Sequence, residues 1–126
     1  MELDPTIRLL EELVAIDSVN PSLVSGSRGE IDVARRIATA CIDSGLAVEI
    51  TEIAPGRPNV VAVLEGRAPG PALMFCGHMD TVGVAGMEAP FRPFRRDGLL
   101  YGRGAQDMKG GLAAMVGAAQ APIWRW

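Results

Sequence analysis

An α/β fold is predicted for this 126-residue chain, and three features of the sequence predict it. Apolar residues recur at helical spacing through the first third, then the pattern shifts toward an alternation of period two. The stretch PALMFCG, residues 71–77, is an almost unbroken apolar run of the kind that forms a central strand covered on both faces. A helix rich in small residues follows, a composition suited to close packing on a sheet.

Residues 3–17, LDPTIRLLEELVAID, predict the first helix. Asp4 can cap it and Pro5 fits its first position. Ile7, Leu10, Leu13 and Val14 mark its apolar face. SVNPSLVSGS reads as a loop, broken by Asn20-Pro21 and Gly26. Ser27 and Glu30 have the spacing of a capping box for a second helix, whose stripe is Ala34, Ile37, Ala38, Cys41 and Ile42 and whose stop is Gly45. AVEITEI then predicts a half-exposed strand, APGRP a turn and NVVAVLEG the returning strand. Residues 83–96 predict an irregular loop with Pro90 and Pro93, and DGLLYGRG a turn and a short strand. DMKGGLAAMVGAAQ predicts the last helix, interrupted by Pro122. Both tryptophans fall in the closing IWRW, where they either dock or mark a reading frame that has left its course.

The length suits one domain. The composition, 48% hydrophobic with only 5% aromatic and 21% charged residues, is apolar for so short a chain. Small domains bury a smaller share of their surface, so this balance suits a piece of a larger domain, or a small one that oligomerises. A net charge of −3 gives no reason to expect nucleic acid or an anionic membrane as partner. Arg92, Arg95 and Arg96 form the one basic cluster, read as a solvated loop with anion binding as the alternative. Cys41 and Cys76 lie in apolar segments and are expected to be buried free thiols. The N-terminus lacks the pattern of a signal peptide, and no apolar run has the length of a membrane span, so a cytoplasmic location is expected.

The chemistry concentrates between residues 76 and 111. His78, the only histidine, is expected at the carboxyl end of the 71–77 strand, where open α/β sheets place ligands. Asp80, two residues on, shares its face and can fix the ring while the other nitrogen binds a metal. A merely structural histidine with a turn aspartate is the alternative. Asp107 lies between a glycine-rich turn and a helix start, as a hard-oxygen ligand or a plain N-cap. Gly102 and Gly104 permit a positive φ or close backbone approach there, and Gly110 and Gly111 allow tight packing. Two rivals remain. One is a nucleotide-binding loop at GRGAQD, in which Asp107 would repel a phosphate. The other is a single-metal site from Cys76, His78 and Asp80, which crowds three ligands on one strand.

Taken together, GHMDTV and PFRPFRRDGLLYGRGAQDMKGGLAAM resemble the M20 metallopeptidase group, which includes acetylornithine deacetylase, succinyl-diaminopimelate desuccinylase and carboxypeptidase G2-like enzymes. The resemblance covers most of the chain, weakens after about Ala119, and leans toward acetylornithine-deacetylase-like members. It implies that residues 1–126 are the N-terminal segment of a zinc-aminopeptidase-like three-layer α/β/α catalytic domain with a mixed sheet. It further implies a metal-binding histidine at His78, a metal-bridging aspartate at Asp107, a catalytic aspartate supporting the imidazole at Asp80, and a cis peptide bond after Asp107. Two Zn2+ ions, with Co2+ as an alternative, would drive hydrolysis of an amide in an N-acyl amino acid or small peptide, and the full-length protein could form a homodimer. The family's Glu-Glu pair, further acidic ligand, late histidine and lid or dimerisation domain have no counterpart here. No Glu-Glu follows Asp107, and Glu11-Glu12 comes too early. Weak metal binding or none, and no activity of the chain alone, are therefore expected; a truncated gene product without function is the alternative. Lys109, Tyr101 and Arg103 have no assigned role, and Lys109 is expected to be solvated at the helix start.

Overall fold

A computed structural model describes residues 2–121. In order they form helix α1 (Pro5–Val14), helix α2 (Ile31–Asp43), strands β1 (Ala47–Ala54), β2 (Arg57–Val63), β3 (Phe94–Arg96) and β4 (Leu99–Tyr101), a wide turn at Ala105–Lys109, and helix α3 (Gly110–Gln120). The chain is thus mixed α/β, as expected. Its strands form two separate two-stranded antiparallel sheets, β1 with β2 and β3 with β4. Pro122 and the tryptophan-bearing tail lie outside the described residues.

Helix α1 starts as its sequence dictates. The Asp4 carboxylate accepts the Thr6 backbone N–H at 2.8 Å and Pro5 occupies the first turn. Its buried residues are Leu9, Leu13 and Val14, whereas Ile7 is 37% exposed, so the inward face is rotated from the expected one. Helix α2 begins at Ile31, later than the Ser27 capping box implies, and Glu30 makes no side-chain cap. Gly29 takes φ +72° just before it, and the Glu30 carboxylate is instead held by Arg57, whose Nη2 donates to Oε1 at 2.6 Å. Val33, Ala34, Ile37, Ala38, Ala40 and Cys41 are buried, while Ile42, expected inside, is 57% exposed. Gly45 ends the helix at φ +84°, with the Leu46 N–H returning to the Cys41 carbonyl.

The core joins α1, α2 and α3: Leu9, Leu13, Val33, Ile37, Cys41, Leu46, Leu112 and Val116 pack in one cluster. Val48, Val60 and Ala62 bring the β1–β2 hairpin onto it. Helix α3 packs closely because it is glycine-rich. A Cβ on Gly117 would lie 2.5 Å from Thr6 Oγ1 on α1.

Two expectations fail here. Residues 71–77 form no strand, and Leu73, Met74 and Phe75 are 70%, 82% and 47% exposed. An apolar run becomes a central strand only when neighbours on both sides take its N–H and C=O groups. Among the described residues neither flank carries such a strand, and Cys76 is exposed with the rest. Ordered pairing begins only past its end, where Val19 and Thr81 form an isolated parallel bridge. Conversely, residues 94–96, expected as loop, form β3, with Phe94 stacked on Tyr101 at 4.8 Å between ring centroids. Two of the basic cluster's three arginines lie on this hairpin in paired form: Arg95 Nε is 2.9 Å from Glu11 Oε1, and Arg96 lies over the Tyr101 ring.

Candidate functional site

Three segments distant in sequence meet at one end of α3. The loop after α1 supplies Ser18 and Asn20, the extended segment supplies His78 and Asp80, and the wide turn supplies Asp107 and Lys109. The parallel bridge aligns the first two: Thr81 N–H donates to the Ser18 carbonyl at 3.0 Å and Asn20 N–H to the Thr81 carbonyl at 2.9 Å. Ser18 Oγ, fully buried, adds a hydrogen bond to the Met79 carbonyl at 2.8 Å.

The wide turn is fixed by close contacts on either side. Gly104 has φ +80°, and a Cβ there would lie 2.7 Å from Thr81 Cγ2 and 3.2 Å from Lys109 Cδ. The position therefore demands glycine twice over, for conformation and for space. Met108 spans the gap to the other segment: its sulfur accepts the His78 N–H at 3.4 Å, and its methyl sits where a Cβ on Gly77 would be. The Asp107–Met108 bond is cis, as expected.

Lys109 departs from its expected solvated position. It is completely buried, and Nζ donates to the carbonyls of Leu13 and Ile16, each at 2.7 Å. Leu13 lies in the last turn of α1, where carbonyls short of intrahelical partners favour a cation, and Ile16 lies two residues past its end. Burial pushes the Lys109 ammonium down to about 8, against the opposing charge of Asp17. Its signal in the sequence is its uniqueness as the sole lysine among arginines.

His78, Asp80 and Asp107 come together. His78 Nε2 lies 3.0 Å from Asp107 Oδ1, and Nδ1 lies 3.1 Å from both the Asp80 carbonyl and Asp80 Oδ1. The imidazole thus sits between two carboxylates, one on each nitrogen. Partial burial pulls its pKa down, but the hydrogen bond to Asp107 and the contacts with Asp80 outweigh that, so the net shift is upward. Asp80 is the more sheltered carboxylate, at 25% side-chain exposure against 80% for Asp107. Asn20, read from sequence only as a loop breaker, donates from Nδ2 to Asp80 Oδ2 at 2.8 Å. Cys76 lies on the exposed segment, and among the described residues no group of three or more His, Cys, Asp and Glu side chains could hold a metal ion. A three-ligand site from Cys76, His78 and Asp80 is therefore not formed.

The donors that are present suit a metal in part. Imidazole nitrogen and carboxylate oxygen are both zinc ligands, and two donors each ~2.1 Å from one tetrahedral ion are roughly 3.4 Å apart. The 3.0 Å between His78 Nε2 and Asp107 Oδ1 is close to that span. They make one edge of a coordination sphere, not a whole one. Gly104 and the buried Lys109 give the GRGAQD turn a packing role, and Asp107 presents a carboxylate where a phosphate loop presents amides.

A model of the Peptidase family M20/M25/M40 matches residues 74–122, the segment carrying these three side chains. Over nearly its whole length the chain is similar to several succinyl-diaminopimelate desuccinylases. It is 39% identical to the one from Methylobacterium radiotolerans over 125 residues, covering 94% of this chain and 30% of the relative. The enzyme of Gluconacetobacter diazotrophicus is 43% identical over 122 residues, covering 90% and 29%. An N-formyl-4-amino-5-aminomethyl-2-methylpyrimidine deformylase from Halalkalibacterium halodurans is 36% identical over 116 residues, covering 87% and 26%. The chain is thus similar to the M20 peptidase family, through residues 74–122 and through relatives matched over nearly its whole length. It spans about 30% of the length of the curated relatives it matches.

Proposed function

We propose that this chain carries part of the active site of a metal-dependent amide hydrolase of the M20 type, acting on an N-acyl amino acid or small peptide. The observation that carries the reading is the convergence of His78 Nε2 and Asp107 Oδ1 to 3.0 Å from positions 29 residues apart. His78 and Asp107 would hold divalent metal, Zn2+ or Co2+, with Asp107 shared between two ions. Bound there, the metal would supply an acidified water and a polarised carbonyl. Asp80 holds the proton of the neutral imidazole on Nδ1, which leaves the Nε2 lone pair free to act as a ligand. Lys109 and Met108 hold Asp107 at the right height by packing its turn against α1 and Gly77.

Zinc sites use three or four protein ligands, and amide hydrolysis needs a base beside the water. His78 and Asp107 supply two ligands and no base. The 126-residue chain alone therefore takes up Zn2+ weakly and does not hydrolyse N-acyl amino acids; turnover requires further carboxylate and imidazole groups from additional polypeptide. The desuccinylase and deformylase names of its relatives favour removal of a small acyl group. No helix among the described residues is long and apolar enough to cross a membrane.

Calorimetric titration with Zn2+ tests the site. Weak uptake by the wild-type chain should disappear in both His78→Ala and Asp107→Ala. Uptake untouched by either substitution would refute the assignment. Metal-dependent turnover of an N-succinyl amino acid by the pure chain would refute its incompleteness.

A further inference from the structure

We infer that Asn20 is a positioning residue for the imidazole of His78, acting through Asp80 to set which ring nitrogen carries the proton. The inference deepens the reading given under Proposed function and rests on it for its metal consequence alone.

Every hydrogen-bonding group of Asn20 is engaged. Its backbone N–H donates to the Thr81 carbonyl at 2.9 Å, and its own carbonyl accepts from Leu23 and Val24, each at 3.0 Å. The residue is therefore fixed in space relative to the 78–81 segment before its side chain is considered. The side-chain oxygen then accepts the Ser22 N–H at 2.8 Å, while Nδ2 donates to Asp80 Oδ2 at 2.8 Å. A backbone N–H can only donate and a carboxylate can only accept, so these two partners allow one orientation of the amide. Asn20 is thus a fixed donor aimed at one oxygen of Asp80. The other oxygen, with the Asp80 carbonyl, faces His78 Nδ1 at 3.1 Å.

The consequence concerns a competition. His78 has a carboxylate on each nitrogen, and in the neutral ring a single proton must choose between them. Asp80 offers two oxygens at Nδ1 and is held from behind; Asp107 offers one oxygen at Nε2 and is 80% exposed, where water weakens it. With Asn20 in place the Asp80 side wins, the proton stays on Nδ1, and Nε2 is bare toward Asp107. Without that donor Asp80 is free to swing to solvent, and the proton passes to Nε2, where it blocks metal. The chain of contacts Asn20–Asp80–His78 would therefore decide whether His78 can be a ligand at all.

Because His78 is the chain's only histidine, long-range 15N–1H spectra of the metal-free, histidine-labelled chain report its ring without ambiguity. The measurement is made at a pH where the ring is neutral. Asn20→Asp keeps an oxygen for the Ser22 N–H but sets a second carboxylate against Asp80. Asn20→Leu removes the donor without adding charge and gives up the Ser22 turn. The wild-type chain should show the Nδ1–H form, and both variants should lose it in favour of Nε2–H, with far-ultraviolet dichroism and thermal unfolding confirming that each is folded. A wild-type ring protonated on Nε2, or a folded variant of either kind that keeps the Nδ1–H form, overturns the inference. In a parallel Zn2+ titration the Asn20→Asp chain should bind about tenfold more weakly, as loss of such outer partners generally causes. If the wild-type chain takes up no Zn2+, the metal assignment falls, while the ring spectra still decide the role of Asn20.

Discussion

Replacing Lys109 by Met keeps most of the side-chain volume and removes the ammonium. Two hydrogen bonds from Nζ, each 2.7 Å long, disappear with it. Hydrogen bonds to charged groups contribute about 1.5–3 kcal/mol each, so the gross loss is about 3–6 kcal/mol. Against this stands the cost of burying the charge. Lowering the pKa from 10.5 to about 8 corresponds to a penalty on the order of 3 kcal/mol at neutral pH, which Met does not incur. The net destabilisation is then about 2 kcal/mol, within a range running from near zero to about 3. The Leu13 carbonyl keeps the Ile16 N–H at 3.2 Å, so the burden falls on the Ile16 carbonyl. Lys109→Ala also empties the volume of the stem and should cost about 2 kcal/mol more. Urea unfolding at pH 7 is the assay: with a slope of about 2 kcal/mol per M, the Met variant's midpoint should fall by about 1 M. The pH dependence gives a second reading. With the folded-state pKa depressed, the unfolded chain binds more protons between about 8 and 10.5, so wild-type stability should rise with pH across that window. The neutral amine still has two N–H donors for its two carbonyls. In the Met variant this contribution to the pH dependence should be absent. A midpoint that stays put in both variants, or a pH dependence identical in wild type and Met variant, would refute the picture of Lys109 as a buried tether.

Gly104→Ala should lower stability by about 1–2 kcal/mol from the left-handed backbone alone, and by more because the new methyl meets Thr81 at 2.7 Å; thermal unfolding measures it, and an unchanged melting temperature would contradict the geometry. The two thiols should separate cleanly toward a thiol-specific reagent. Cys76 is exposed and should react in the native chain, whereas Cys41 is buried, with its pKa raised by desolvation, and should react only on unfolding. Two equivalents consumed at native rates would place Cys41 at the surface.

The sequence reveals most where the signal is local. The Asp4–Pro5 start of α1, the Gly45 stop of α2 and the β1–β2 hairpin around Gly56 depend on neighbours within a few residues, and all three form as their residues predict. The sequence misleads where the deciding partner is remote. Glu30 has the spacing of a capping residue, but Arg57, 27 positions away, takes its carboxylate. Residues 71–77 have the composition of a central strand, yet no adjacent strand accompanies them among the described residues. At the site, His78 and Asp80 stand out at the end of an apolar run and Asp107 between a glycine-rich turn and a helix start, while their roles come only from the resemblance to the M20 group. Asn20 does not stand out, since an Asn-Pro pair signals a turn regardless of what its amide touches. Lys109 shows the same limit: its side chain crosses to the carbonyls of Leu13 and Ile16, 96 and 93 residues away, a relation that no periodicity encodes.

The bare extended run that carries Leu73, Met74 and Phe75 has a practical consequence. An unladdered backbone flanked by greasy side chains is a template for intermolecular pairing, and natural proteins usually blunt such edges with charge or proline. Pro71 guards only the entrance. From there to His78 no charged residue interrupts the run. Concentrated stocks of the isolated chain should therefore turn cloudy from this stretch first, and a lysine in place of Phe75 should keep them clear without disturbing the imidazole three residues on.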